Sequence, residues 1–357
     1  MKLITILFAG ILIVDVAAFS AHGAAYQDYQ KSTVIVVIGA AGTEEYGAQF
    51  AKWAGLWEEA CSKGKAKFTA IGLDKVEGSP ALALPPLLLS QESTGVRAND
   101  RTTLQKTLAD ESQQTTAALW LVLIGHGTFD GRTAKFNLRG PDISADDLAE
   151  WLMPLRRPIA VINTASSSAP FLSKLSAQGR VVITATKSGY EQNYARFGQY
   201  LAGAIAEPQA DLDKDGQTSL LEAFLTASGR VDEFYSAAGR LVTEHTLLDD
   251  NGDGLGTRAD WFRGIRPVRK AEDSASLDGY RAHQFHIVYS EAENKIPPGL
   301  RAKRDRLELE VVKLRDAKEN FSEDEYFSKL EALLYDIAQI YEQSDKADNR
   351  SQKKRMR

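Results

Sequence analysis

His126 is the residue best placed to do chemistry in this chain. An imidazole serves as a general base when a rigid element holds it beside a nucleophile. His126 follows an unbroken apolar run, Leu119-Trp-Leu-Val-Leu-Ile124, and sits between Gly125 and Gly127. Such a run is the pattern of a strand buried on both faces. Ligand sites in open α/β sheets lie at the carboxyl ends of the strands. Glycines at that point let backbone approach a ligand closely, and Gly127 would offer its N–H to an oxyanion. A second apolar run, Pro158-Ile-Ala-Val-Ile162, leads into Asn163-Thr-Ala-Ser-Ser-Ser168. Its three serines are hydroxyl nucleophiles only if a base activates them, and no acid is evident to orient the imidazole.

A different chemistry is written in Asp211-Leu-Asp-Lys-Asp-Gly-Gln-Thr-Ser-Leu-Leu-Glu222. Calcium takes six to eight hard oxygens, and a twelve-residue loop with ligands at positions one, three, five, seven, nine and twelve wraps them around one point. Asp211, Asp213 and Asp215 supply the first three, Gln217 a backbone carbonyl, Ser219 a side chain or water, and Glu222 the bidentate closure. Gly216 makes the sharp turn. Asp249-Asp-Asn-Gly-Asp-Gly-Leu-Gly-Thr-Arg-Ala-Asp260 repeats the spacing with Asp249, Asn251, Asp253, the Leu255 carbonyl and Asp260. Gly256 replaces the usual apolar residue at position eight, and Asp260 is shorter than the usual glutamate. The space between the loops predicts an exit helix over Leu221 to Arg230 and an entry helix over Glu233 to Leu247, an EF-hand pair.

The elements that must position these residues alternate. Buried strands are expected at Thr33 to Ile38, Phe68 to Ile71, Leu119 to Ile124, Ile159 to Ile162 and Val181 to Thr184. Helices are expected after Gly42 (with Phe50, Trp53, Leu56 and Trp57 on one face), over Arg101 to Gln114, from the Ser144 N-cap to Leu152, and over Asn193 to Ala206. Alternating strands and helices imply a parallel sheet covered on both faces. Gly39-Ala-Ala-Gly42 lacks the residues of a phosphate loop and reads as a strand-to-helix turn. Glu77 to Asp100 reads as a long loop, and Gln284 to Tyr289 as a short strand. Beyond Pro297 the chain is helical and densely charged. Ser322-Glu-Asp-Glu325 forms a capping box, with Phe321 and Tyr326 placed for a hydrophobic staple, so two helices joined near Asn320 make a hairpin.

Ile124-Gly-His-Gly127 resembles the histidine motif of the caspase/legumain superfamily of cysteine peptidases. Ile162-Asn-Thr-Ala-Ser-Ser-Ser168 resembles its Asp-Ala-Cys-X-Ser-Gly nucleophile turn, and Val181 to Glu191 its next strand and substrate-lining loop. Val34 to Gly42 is similar to legumain's first strand and loop. The resemblance covers Thr33 to Ala206 and implies a caspase-like α/β fold with His126 as the catalytic base. It places Ala165 at the nucleophile position, with Ser166 one residue away. Glu44, Glu45 and Tyr46 occupy the stretch where legumain carries an arginine for asparagine recognition, so that specificity does not transfer. Three readings of the strand end stay open: a peptidase site that has lost its nucleophile, a serine hydrolase using Ser166 and His126, and a purely structural histidine beside turn-forming serines.

The 357 residues are 43% hydrophobic and 25% charged, with net charge -5, an ordinary globular composition. No basic stripe marks a nucleic-acid partner. Lys2 and the apolar run Leu3 to Val14, with small residues near Gly23, read as a signal peptide over 1–23, too short to span a membrane. Export follows, to a periplasm or outside the cell, with no stable membrane insertion after cleavage. The lone cysteine, Cys61, forms no internal disulfide and reads as a small core residue. His245, His283 and His286 show no metal-ligand spacing. The expected organisation is a signal peptide (1–23), a caspase/legumain-like α/β domain (24–207), an EF-hand calcium pair (208–262), and a connecting segment with a helical hairpin (263–357). The leading function is a calcium-bound pseudopeptidase that binds a protein or peptide partner. The alternatives are a calcium-dependent serine hydrolase and a purely structural calcium-binding protein.

Overall fold

The computed structural model describes residues 31–73, 99–113, 116–273 and 275–355. The expected signal peptide and most of the Glu77 to Asp100 stretch lie outside the described residues. A six-stranded sheet forms the centre. Its strands are Thr33–Ile38 (β1), Lys67–Ile71 (β2), Leu119–Ile124 (β3), Ile159–Asn163 (β7), Arg180–Thr184 (β8) and Leu247–Asp249 (β9), in the order β2-β1-β3-β7-β8-β9. All pairings are parallel except that of β9 with β8.

The apolar runs become strands because both faces of each are covered. Along β1, alternate residues serve two cores. Val34, Val36 and Ile38 pack in the cluster that holds Trp53 and Trp57 of Glu44–Gly64 (α1). Ile35 and Val37 pack in the cluster that holds Leu104 and Leu108 of Asp100–Glu111 (α2) and Leu148 of Ala145–Leu152 (α3). This two-residue period is what a doubly covered strand requires. The fold class expected from the sequence is therefore the one observed: mixed α/β, with a mostly parallel sheet flanked by helices. No helix among the described residues is long and apolar enough to cross a membrane.

Helix starts follow capping chemistry. Thr43 accepts from Tyr46 N, and Asn99 from Thr102 N. Ser144 and Asp147 form a capping box, and Arg101 grips the Asp147 carboxylate at 2.7 and 3.0 Å. At the amino ends of the strands, opposite His126, the fully buried Arg157 guanidinium meets Glu111 at 2.6 Å. It also donates to the carbonyls of Ala117 and Ala118.

Three short strands follow His126 directly: Gly127–Phe129 (β4), Ala134–Phe136 (β5) and Ile143–Ser144 (β6), paired antiparallel in that order. Ala169–Leu175 (α4) and Phe197–Ala204 (α5) follow β7 and β8. The region after α5 departs from the expected helix pair. One helix, Leu220–Ala237 (α6), runs through most of it. It ends at Gly239 (φ +59°), where Arg240 N donates to Tyr235 O and Gly239 N to Ser236 O, a Schellman stop. The β-branched Val242, Thr243 and Thr246 then favour extended chain, and Leu247–Asp249 joins the main sheet as β9. The first twelve-residue loop lies between α5 and α6, and the second lies between no two α-helices. The first follows a 3-10 turn, Pro208–Ala210, and the second runs from β9 into a 3-10 turn, Ala259–Trp261. Phe262–Arg263 (β10) and Arg266–Pro267 (β11) form a small ladder. Where Gln284 to Tyr289 predicted a strand, the chain makes a 3-10 turn, Ala282–Gln284, and a lone bridge from His286 to Ser219.

The C-terminal hairpin is as expected. After Glu291–Lys295 (α7), Pro298–Asp316 (α8) and Glu323–Arg355 (α9) pack together, and the Ser322–Glu325 box closes on itself. Val311, Leu314, Tyr326 and Ile340 form its buried seam.

Candidate functional site

The two strand ends named by the sequence lie side by side, since β3 and β7 are neighbours. No hydrogen bond joins His126 to Ser166 among the described residues. His126 Nε2 lies 3.1 Å from the Ala41 carbonyl oxygen. A carbonyl only accepts, so this nitrogen carries the proton and the lone pair of the neutral ring is on Nδ1. The ring sits in an aromatic cage, edge-on to Tyr46 at 4.9 Å and Phe50 at 5.3 Å, with Tyr194 at 6.1 Å. Ser166 Oγ donates to Gly127 O at 3.2 Å and meets Gly127 N at 3.4 Å. Ser166 is thus spent on the β4 backbone, and the Gly127 N–H faces a hydroxyl. A Cβ at Gly127 would stand 2.2 Å from Ser166 O, so only glycine allows these two turns to touch.

Ala165 is 1% exposed and belongs to the core cluster of α2, α3 and α4. The other serines hold the turn. Ser167 takes the left-handed conformation (φ +55°) and donates its N–H to Glu191 O at 2.9 Å. Ser168 Oγ accepts from Ala185 N at 3.1 Å and Thr186 N at 3.3 Å, tying the turn to the end of β8. Two buried atoms here have no partner, Asn163 Nδ2 and Ser167 Oγ. Cys61 is buried, and its thiol is pushed up to about 12 by that burial and by nearby Glu58.

Sequence reasoning missed a second imidazole. His245 Nδ1 meets Glu191 Oε1 at 2.6 Å, while Glu191 Oε2 accepts from Lys187 N and His245 N. This pair links the loop after β8 to the segment that leads into β9. Nothing in the local spacing of Glu191 and His245 announces it, because the partners are 54 residues apart.

In the first twelve-residue loop, Asp211, Asp213 and Asp215 each place a carboxylate oxygen within 4.8 Å of the others. Asp211 accepts from Lys214 N and Gly216 N, Asp213 from Asp215 N, and Asp215 from Gln217 N. Glu222 Oε1 turns back to Leu212 N and Asp213 N, and its Oε2 takes Ser219 N and Oγ. These carboxylates converge on one point with hard oxygens, so the residues fit calcium. His283, far downstream, also reaches the loop, with Nε2 3.0 Å from Asp213 Oδ2.

The second loop repeats this wiring position by position. Asp249 accepts from Gly252 N and Gly254 N, Asn251 from Asp253 N, and Asp253 from Leu255 N. The closing position differs from the sequence expectation. Asp260 is turned outward, where Arg258 holds both its oxygens. Asp278 does for this loop what Glu222 does for the first. Its Oδ1 accepts from Asp250 N and Asn251 N, and its Oδ2 from Thr257 Oγ1. Asp250 returns the contact by accepting from Gly279 N and Ala282 N. Burial, and then the neighbouring Asp250 charge, push Asp278 up to about 9. Asp249 and Asp250 are also raised, chiefly by burial. A ligand from outside the twelve residues leaves no spacing signal, which is why Asp278 was not legible.

No protein-family model matches the sequence, and no curated protein matches it. Among solved structures, the chain is similar to the Drosophila initiator caspase Dronc, with 13% identity and a TM-score of 0.38 over 65% of this chain and 84% of that one. Caspase-1 from Spodoptera frugiperda gives 9% identity and a TM-score of 0.39, over 62% of this chain and 87% of that one. A protein from Geobacter sulfurreducens gives 10% and 0.33, over 56% of this chain and 89% of that one.

Proposed function

We propose that this chain is a peptidase-related module that binds a protein or peptide partner without cleaving it, and that calcium holds it in shape. The observation that carries this reading is the arrangement at the ends of β3 and β7. The residue at the nucleophile position is a buried methyl, Ala165. The adjacent hydroxyl, Ser166, is committed to the Gly127 backbone and makes no hydrogen bond with His126 among the described residues, while the His126 Nε2–H is held by Ala41. Nucleophilic catalysis needs the nucleophile and base within hydrogen-bond reach of each other. The same geometry weighs against the serine-hydrolase reading.

Calcium would be held in the first loop by Asp211, Asp213, Asp215, Glu222 and the Gln217 carbonyl, with Ser219 beside them. In the second it would be held by Asp249, Asn251, Asp253, the Leu255 carbonyl and Asp278 in place of Asp260. A bound cation offsets the repulsion among buried carboxylates and joins distant chain segments. Export remains part of the proposal and rests on the signal-like sequence over 1–23.

The test is cleavage of a diverse peptide library by the chain, with calcium and with chelator, beside His126→Ala. No cleavage in either condition is expected. Cleavage that disappears in His126→Ala would overturn the reading.

A further inference from the structure

Beside the His126 cage is an open cleft of about 550 Å³. Tyr46 and Tyr194, which pack on His126, form one wall. Phe234 and Tyr235, at the end of α6, form the other. Two guanidinium groups line it, from Arg196 and Arg240. The Arg196 guanidinium lies over the Phe234 ring at 4.1 Å and near Tyr194 at 5.8 Å. The neighbouring Glu244 carboxylate is otherwise engaged, taking Arg196 N, Phe197 N and the Tyr235 hydroxyl. Arg240 is exposed and is fixed in place by the Schellman stop of α6. Neither guanidinium forms an ion pair among the described residues.

The rim supplies two more features. Leu241 is 89% exposed, an apolar side chain left standing in water. The main chain of Leu241, Val242 and Thr243 makes no backbone–backbone hydrogen bond among the described residues. Those main-chain donors and acceptors are left for water or a ligand. The cleft therefore combines aromatic walls, unpaired positive charge in a protein of net charge -5, and free backbone donors and acceptors. Arginine held over a ring is pre-organised for forked recognition of a carboxylate.

We propose that this cleft binds an acidic peptide segment, its carboxylate held by Arg196 and Arg240 and an adjacent apolar side chain seated on the aromatic wall beside Leu241. The proposal rests on the non-catalytic binding reading above and names the ligand class.

The probe is a phage-displayed library of random octapeptides, panned on the full chain in calcium. The consensus peptide is then labelled with fluorescein and titrated by anisotropy. The expected pool is enriched in Asp or Glu next to an aromatic or aliphatic residue. Arg196→Gln and Arg240→Gln should each weaken the consensus peptide by about tenfold or more, as should changing its acid to the amide. Leu241→Ser should weaken it less. Near-UV circular dichroism checks the fold, and Arg240→Gln, at an exposed position, carries the test if Arg196→Gln unfolds. A pool without acidic enrichment, or affinity unchanged in the double arginine variant, overturns the proposal. Incubating the pool with wild type and His126→Ala separates the two ideas: His126-dependent cleavage sinks the non-catalytic reading and leaves the arginine result to be judged alone.

Discussion

Ala165 puts a buried methyl in the turn after β7, and Ser166 beside it bonds to the Gly127 backbone. Placing a sulfur at that point tests whether the turn can carry a nucleophile. In Ala165→Cys the thiol would sit at a position 1% exposed. Burial disfavours the thiolate, as it does at Cys61, pushed up to about 12. His126 Nε2 donates to Ala41, which leaves the lone pair of the neutral ring on Nδ1, so any His126-dependent response would come through that nitrogen. The expected outcome is a folded variant that iodoacetamide labels slowly at neutral pH and that cleaves no peptide. Fast labelling together with His126-dependent cleavage would show a latent dyad. At this scale the sequence was informative about identity and silent about orientation. His126, Ala165 and Ser166 could be named from a glycine-flanked histidine and a serine-rich turn after apolar runs. The hydrogen bond from His126 to Ala41 spans 85 residues of chain. No local pattern encodes a contact of that range.

Elements were legible where one pattern decided them and obscure where tertiary pairing did. The all-apolar runs at Thr33, Leu119 and Ile159 could only be doubly buried strands, and the caps at Ser144 and Ser322 marked helix starts chemically. Glu233 to Leu247 has helical content, yet Gly239 stops α6 and β8 recruits Leu247–Asp249 as an edge strand. The strands β4 to β6 are two or three residues long and carry no periodicity to read. The same dependence on distant partners holds the amino ends of the sheet. Burial alone would raise the Glu111 carboxyl, but its contacts with Lys67 and Arg157 outweigh that and hold it below its ordinary value. Arg157 and Glu111 are 0% and 5% exposed at their side chains. Glu111→Ala strands a buried guanidinium and should cost about 3–5 kcal/mol in urea denaturation. Replacing both partners, Glu111→Leu with Arg157→Met, should recover most of that loss, because neither charge is then buried alone. Equal destabilisation in the single and double variants would argue that packing, and not the charge pair, holds this end.

The whole molecule is tied together through its acidic loops. The first loop is bridged through Ser219 to His286, and the second clasps the 278–282 turn through Asp250 and Asp278. The second reaches the sheet, since Asp249 ends β9. Without a cation the second clasp buries carboxylates against one another. Asp278 is raised from 3.8 to about 9 in the folded chain, so the folded state holds a proton that the unfolded state releases across that window. Its contribution to stability is therefore complete below the ordinary carboxylate value and is lost as pH rises toward about 9. In chelator, the melting temperature should fall between pH 5 and pH 8 by more in wild type than in Asp278→Asn. Added calcium should restore wild type most at the higher pH, where the carboxylate is needed as an anion. A ligand at a hundred times its Kd contributes about 2.7 kcal/mol to the folded state. Asp278→Asn should raise stability in chelator and lose the second-loop calcium response, while Asp260→Asn should leave both unchanged. That opposition separates a cation ligand from an ordinary structural aspartate, which would only destabilise on replacement. A calcium response lost in Asp260→Asn and kept in Asp278→Asn would return the closing position to the twelfth residue of the loop.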